Sequence, residues 1–108
     1  MKRITSIEAW RELLEKSKEQ PFLLFKFGMT CSSSLSALKE LRELETELPK
    51  YMVTVQVDRL VSNAIEKDLG VKHESPQLLI LKGGKGIWQA THHKIKKALL
   101  NEAIHTYV

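Results

Sequence analysis

The residues best equipped for chemistry lie in Phe27-Gly-Met-Thr-Cys-Ser-Ser-Ser-Leu35, where the chain's one cysteine, Cys31, is flanked by Thr30, Ser32, Ser33 and Ser34. A thiolate attacks disulfide sulfur and the protonated thiol does not, so what Cys31 can do depends on its pKa. Two elements must meet there. Leu23 to Phe27 is short, apolar and aromatic, as a buried strand is, while Leu35, Leu38, Leu41, Leu44 and Leu48 recur at helical spacings of three and four. Cys31 therefore falls at a strand-to-helix junction. The first N–H groups of a helix have no intrahelical partners, and with the macrodipole they place partial positive charge beside the sulfur. Cysteines in such positions titrate at about 3.5–7.5, against about 8.5 for a free thiol. The competing reading is a buried cysteine serving as a small hydrophobe. The hydroxyl neighbours argue against it, because they suit an exposed helix start better than an apolar core. With one cysteine no internal disulfide can form, so any disulfide chemistry is intermolecular.

Other function classes fit the residues less well. At 108 residues, 43% hydrophobic and 28% charged, the chain reads as one soluble domain, residues 1–108. No apolar stretch approaches the ~20 residues of a membrane span. Met-Lys-Arg-Ile-Thr-Ser leads directly into an amphipathic segment without the apolar core of a signal peptide, which points to a cytoplasmic protein with no membrane partner. The net charge of +4 raises nucleic acid as a partner, but the lysines are dispersed among glutamates. Their densest group, Lys94, Lys96 and Lys97, falls on an expected surface helix, and there is no zinc-finger spacing or aromatic RNA-binding strand. We therefore expect no nucleic acid, although a basic surface can draw anionic thiols or acidic proteins. His92 and His93 are adjacent and diverge on a helix, with no Cys or carboxylate cluster to complete a metal site. Gly83-Gly84-Lys85-Gly86 lacks the spacing of a phosphate loop.

Along the chain, Lys2 to Ile4 reads as a short strand. Thr5-x-x-Glu8 has the form of a capping box opening a helix over Ser6 to Ser17, with Ile7, Trp10, Leu13 and Leu14 on its apolar face. Gln20-Pro21 ends it, and Phe22 to Phe27 forms the next strand. The helix from Cys31 runs to about Leu48 and stops at Pro49. Tyr51 to Asp58 alternates as a strand, Ser62 to Leu69 forms a short helix ended by Gly70, and Gln77–Lys82 pairs with Gly86–Thr91 across a Gly83-Gly84-Lys85 hairpin. A last helix spans about His93 to Thr106, with Ile95, Leu99, Leu100 and Ile104 inward. Strands alternating with helices need parallel crossovers, and the late hairpin adds an antiparallel edge. The expected class is α/β, a mixed central β-sheet flanked by helices on both faces.

This order is similar to that of thioredoxin-like folds, which place a cis-proline before the hairpin, facing the active-site cysteine; here that position is Ser75-Pro76. Leu60-Val-Ser-Asn63 and Leu69-Gly-Val-Lys-His-Glu-Ser-Pro-Gln77 go further, and over nearly its whole length the chain resembles the monothiol bacilliredoxins of the bacillithiol redox system. That family's site reads Thr-Cys-Pro-Ile-Ser after a Lys-His pair. Thr30, Cys31 and Ser34 match it, whereas Phe27, Ser32 and Ser33 replace the histidine, proline and isoleucine. The resemblance implies that Cys31 attacks the mixed disulfide between bacillithiol and a client protein and carries bacillithiol away. Ser34 then stands where a dithiol redoxin has its resolving cysteine, so free bacillithiol or another redoxin must regenerate the thiol. Bacillithiol is on this view a thiol co-substrate, with no bound cofactor or metal. Ser34 either donates to the thiolate or satisfies backbone in the first turn, and Thr30 caps the helix or supports the thiolate. Ser75 and Pro76 form the substrate groove, through the Ser75 main chain. His73 and Glu74 line that groove or are ordinary exposed loop residues. Two other functions remain open on the residues alone: a non-catalytic binding module of the same fold, and a redox sensor modified at Cys31.

Overall fold

The computed structural model describes all 108 residues. Its element order is β1 (Lys2–Arg3), α1 (Ile7–Lys16), β2 (Phe22–Phe27), α2 (Ser32–Glu43), β3 (Lys50–Thr54), α3 (Arg59–Leu69), β4 (Gln77–Lys82), β5 (Lys85–Thr91) and α4 (Lys97–Tyr107), with a 3-10 turn at His92–Lys94. The five strands form one sheet in the order β1-β3-β2-β4-β5. β1, β3 and β2 are parallel, β4 runs antiparallel to β2, and β5 returns antiparallel to β4. This is the mixed sheet that the sequence predicts. Gly83 and Gly84 make the two-residue turn of the β4–β5 hairpin at φ 63 and 76, a conformation in which a Cβ is strained.

Helices cover both faces, so the central strands are apolar without alternation. From β2, Leu23 and Phe25 face α2 and α4 in a cluster with Leu38, Leu41, Leu78, Ile80 and Leu100. Phe22 and Leu24 face α1 and α3, among Trp10, Val53, Val61, Ile65, Leu79 and Leu81. Trp10 is fully enclosed and donates its indole N–H to Asp68 on α3 at 2.9 Å, which ties α1 to α3.

Several element ends differ from expectation, each for a local reason. The cap of α1 is Ser6, whose hydroxyl accepts the Ala9 N–H, one residue later than a Thr5-x-x-Glu8 box. α2 stops at Glu43 instead of reaching Leu48, because Lys50 reaches back and donates to the Leu41 and Leu44 carbonyls at 2.8 and 2.6 Å. Leu44 and Leu48 still pack on the core, from the irregular segment after the helix, whereas Leu35 of the same leucine series is exposed. β3 ends at Thr54, whose carbonyl accepts the Val57 and Asp58 N–H groups in a turn; α3 consequently begins at Arg59 and not at Ser62. The final helix begins at Lys97, since His92 sits at φ 52 and breaks the chain into the 3-10 turn. Ile95 and Leu100 are buried as expected, but Leu99 is exposed.

One position breaks the apolar pattern of β2. Lys26, on the face shared with α3, has 0% of its surface exposed. Burial pulls its amine from the ordinary 10.5 to about 8, partly opposed by the Glu66 carboxylate. Below pH 8 the folded chain therefore carries a buried ammonium at full cost. Between about 8 and 10.5 the unfolded chain binds more protons than the folded one, and stability rises with pH. Lys26→Met keeps the stem and removes the charge. In thermal melts it should be more stable than wild type at pH 7 by roughly 1–3 kcal/mol, with the gap closing as pH rises above 8.

Candidate functional site

β2 and β3 are parallel, so the loops after them emerge at one end of the sheet, the usual place for a ligand in such folds. Cys31 stands there as the N-cap of α2, with an extended backbone at φ −109 and ψ 118 and no side-chain cap bond of its own. Its half-buried sulfur lies 2.8 Å from Ser33 Oγ. The Ser33 hydroxyl does most to hold the Cys31 pKa below that of a free thiol. The backbone N–H groups of Ser34 and Ser33 add to this, partial burial opposes it, and the Ser34 hydroxyl contributes least. All of these groups are neutral donors of the helix start.

The other expected residues divide into those that the fold gathers around Cys31 and one that it does not. Ser34 is fully buried, and its Oγ accepts the Gly28 N–H at 3.0 Å. Its chief role is thus the backbone one, closing the Gly28–Ser34 loop. Thr30 is exposed and its hydroxyl makes no hydrogen bond; the expectation that it caps the helix or supports the thiolate is corrected, because Cys31 itself takes the cap position and Ser33 the sulfur. Ser75 and Pro76 are brought up to the cysteine loop. Their peptide bond is cis, and a Cβ on Gly28 would collide with Ser75 Oγ and lie 3.3 Å from Ser34 Oγ and 3.6 Å from Cys31 Cβ. A side chain at residue 28 would have to displace the Ser75 hydroxyl, so glycine suits this close approach of the two loops. Ser75 Oγ is buried against this contact without a hydrogen-bond partner.

Further groups complete the end of the sheet. The Met29 N–H donates to Gln56 Oε1 at 3.0 Å, which joins the cysteine loop to the β3–α3 turn. The His92 N–H donates to the Pro76 carbonyl at 3.1 Å, and His92 Nδ1 lies 3.7 Å from a Glu74 carboxylate oxygen. Of eight exposed large apolar side chains, four belong to these loops and first helical turns: Met29, Leu35, Val57 and Leu60. Such a concentration around one thiol suits contact with a macromolecule. Ser33 is the residue that sequence reasoning missed. Once Cys31 is the cap, Ser33 is the second helical residue, where N-cap side chains find their partners, so the cap position was the signal that could have identified it.

Comparison with known proteins agrees with this geometry. The family model described as monothiol bacilliredoxin BrxC matches residues 2–100. The chain belongs to the monothiol bacilliredoxin family. A solved structure described as a candidate oxidoreductase with a thioredoxin fold is 28% identical, covering 95% of this chain and 92% of its own, at a TM-score of 0.86. Thioredoxins from Fasciola hepatica (14% identity, all of both chains, TM-score 0.79) and Malassezia sympodialis (14%, 99% and 90%, 0.76) share the fold. This bacilliredoxin is accordingly a thiol-disulfide oxidoreductase of thioredoxin-like fold.

Two departures from the bacilliredoxin motif can now be read physically. Phe27, in place of histidine, packs beside Phe25 on the α2–α4 face, at a ring separation of 6.1 Å, so it adds core and no polar group. Ser33, in place of isoleucine, supplies the hydroxyl on the sulfur. In Ser33→Ala and Ser33→Ile the Cys31 pKa should rise, so alkylation at pH 6 slows while the rate at high pH, where all the thiol is ionised, changes little. Gly28→Ala should push the Ser75–Pro76 loop off the cysteine loop. A loss of roughly 1–3 kcal/mol in denaturant melts is expected, together with a fall in disulfide-exchange rate.

Proposed function

We propose that this protein removes bacillithiol from protein mixed disulfides, with Cys31 as the attacking thiol. The observation that carries the reading is a half-exposed cysteine at a helix N-cap, hydrogen-bonded by Ser33, on a loop whose Gly28 abuts Ser75 of the cis Ser75–Pro76 pair. The donors of Ser33 and the first turn raise the thiolate fraction near neutrality. In the forward step the Cys31 thiolate attacks the bacillithiol sulfur, the client–bacillithiol S–S bond breaks, and the client sulfur leaves as a thiolate that takes its proton from water. Cys31 now holds bacillithiol in a new disulfide, and no net oxidation has occurred.

Return to the free thiol needs a second thiol, because the chain has no other cysteine. The Ser34 side chain, at the place of a resolving cysteine, is already engaged with the Gly28 N–H. Free bacillithiol or another redoxin attacks the bacillithiol sulfur on Cys31 and leaves with it as a disulfide. Cys31 is the leaving group in this step, and the donors that lower its pKa speed its departure. Ser75 lies outside the β4 ladder, and no turn or loop bond takes its N–H or C=O, which leaves both for an extended client segment. Met29, Leu35, Val57 and Leu60 supply apolar contact for that client. No helix is long and apolar enough to cross a membrane, and a cycle that runs through a free thiol fits a reducing cytoplasm.

An intact-mass time course with a bacillithiolated client tests the proposal. The client should lose the mass of bacillithiol as this chain gains it, and Cys31→Ala should do neither. Equal retention of bacillithiol by the client with wild type and variant would remove the reading.

A further inference from the structure

Lys26 is buried at the end of the central strand, five residues before the thiol, where an apolar side chain would be more stable. Its surroundings show what it holds. Lys26 Nζ lies 3.3 Å from His73 Nδ1 and 3.5 Å from the Ser62 carbonyl, and Ser62 Oγ is 3.4 Å from the same Nδ1. Glu66 fixes the other side of the residue, accepting the His73 backbone N–H at 2.6 Å. An ammonium can only donate, and the Ser62 hydroxyl is free to donate. Nδ1 therefore faces two donors and must present its lone pair, which leaves the ring proton on Nε2. The charged groups around the ring favour the neutral form on balance. Burial lowers the His73 pKa most, Lys26 and Arg59 lower it further, and Glu66 and Glu74 oppose them.

Nε2 has no partner within the protein, and the half-buried ring does not enclose it. His73 stands two residues before Ser75, on the loop that the cysteine loop touches. We propose that Lys26 is a positioning residue that locks His73 in its Nε2–H tautomer, making it a fixed hydrogen-bond donor at the rim of the thiol site for a carbonyl or carboxylate oxygen of the partner disulfide. The proposal rests on the bacilliredoxin reading of the site. That oxygen belongs either to bacillithiol itself or to the client backbone, and the substrates below separate the two.

Two measurements test it. Long-range 15N–1H correlation NMR reads the tautomer of each of the four histidines, with His73 assigned by its loss in His73→Phe. Wild type at pH 7 should show the Nε2–H form at His73, and Lys26→Met a mixture. In the second, rate constants are measured with oxidised bacillithiol disulfide and with a bacillithiolated peptide, beside alkylation of Cys31 by a small neutral reagent. Loss of the donor should slow exchange by about 3- to 10-fold in His73→Phe, and its partial loss in the tautomer mixture of Lys26→Met by a smaller factor of about 2, with alkylation unchanged in both. Slowing with both substrates supports the proposal and places the acceptor on bacillithiol; slowing with the peptide alone supports it and places the acceptor on the client. Wild-type rates in both variants, or an Nδ1–H ring in wild type, would overturn it. Wild type inert to both substrates would instead overturn the bacillithiol reading and the rim-donor role with it, and the tautomer would still decide whether Lys26 sets the ring.

Discussion

The site depends on the near-contact of two loops at Gly28. β2 lies at the centre of the sheet, paired on both edges and covered on both faces, so its end is one of the least movable points in the fold. Gly28 follows it directly. The chain there must leave the sheet, deliver Cys31 to the start of α2 and let the loop before β4 come alongside, all within a few residues. Ser34 returns from the first turn of α2 to accept the Gly28 N–H, and the Cys31 N–H bonds the Gly28 carbonyl at 3.4 Å. Both polar groups of the glycine are thereby used from within the loop. Its missing Cβ is the space into which Ser75 fits.

The thiol is activated within this frame by dipoles alone. The Ser33 hydroxyl and the N–H groups of Ser34 and Ser33 act on Cys31, and no lysine, arginine or histidine is among them. Short-range hydrogen bonds of this kind are much less sensitive to salt than attraction to a surface cation. The family's proline at position 32 would be compatible with the same design, since a first helical residue needs no N–H partner. Ser32 there keeps an N–H that the helix does not require. The change at position 33 matters more, because an isoleucine keeps the backbone N–H but has no hydroxyl to offer a sulfur anion.

Element types and order were legible in the sequence because the patterns are strong. The apolar run of β2, the leucine spacing of α2 and the Gly83-Gly84 turn each admit one reading, and together they gave the mixed sheet. The ends were harder, because they are decided by side chains beyond the element and by single backbone conformations that leave no periodic pattern. Lys50, six residues beyond Leu44, sets where α2 stops, and a left-handed His92 sets where the last helix cannot begin. The same limit applies at the site. Cys31 and the Ser75–Pro76 loop could be found from local pattern and resemblance, but dividing work among Thr30, Ser33 and Ser34 required knowing which residue is the cap. One residue of difference turns Thr30 to solvent and Ser33 toward the sulfur.

The buried lysine could be read in sequence only as part of a family motif, with no reason attached. A strand covered on both faces has no cheap place for an ammonium, so Lys26 opposes the packing that makes β2 a good anchor. Its neighbours temper the conflict without removing it. The Ser62 carbonyl at 3.5 Å is a weak acceptor, Glu66 gives its hydrogen bond to the His73 backbone, and the remaining partner is the ring of His73. An ammonium whose best-placed partner is an imidazole is poorly compensated as a structural feature, yet it is well suited to holding one face of that imidazole as an acceptor. The loop that carries Cys31 and the loop beside it are thus held by different means. Absence of a side chain at Gly28 sets their separation, and a buried charge at Lys26 orients the ring on the outer one.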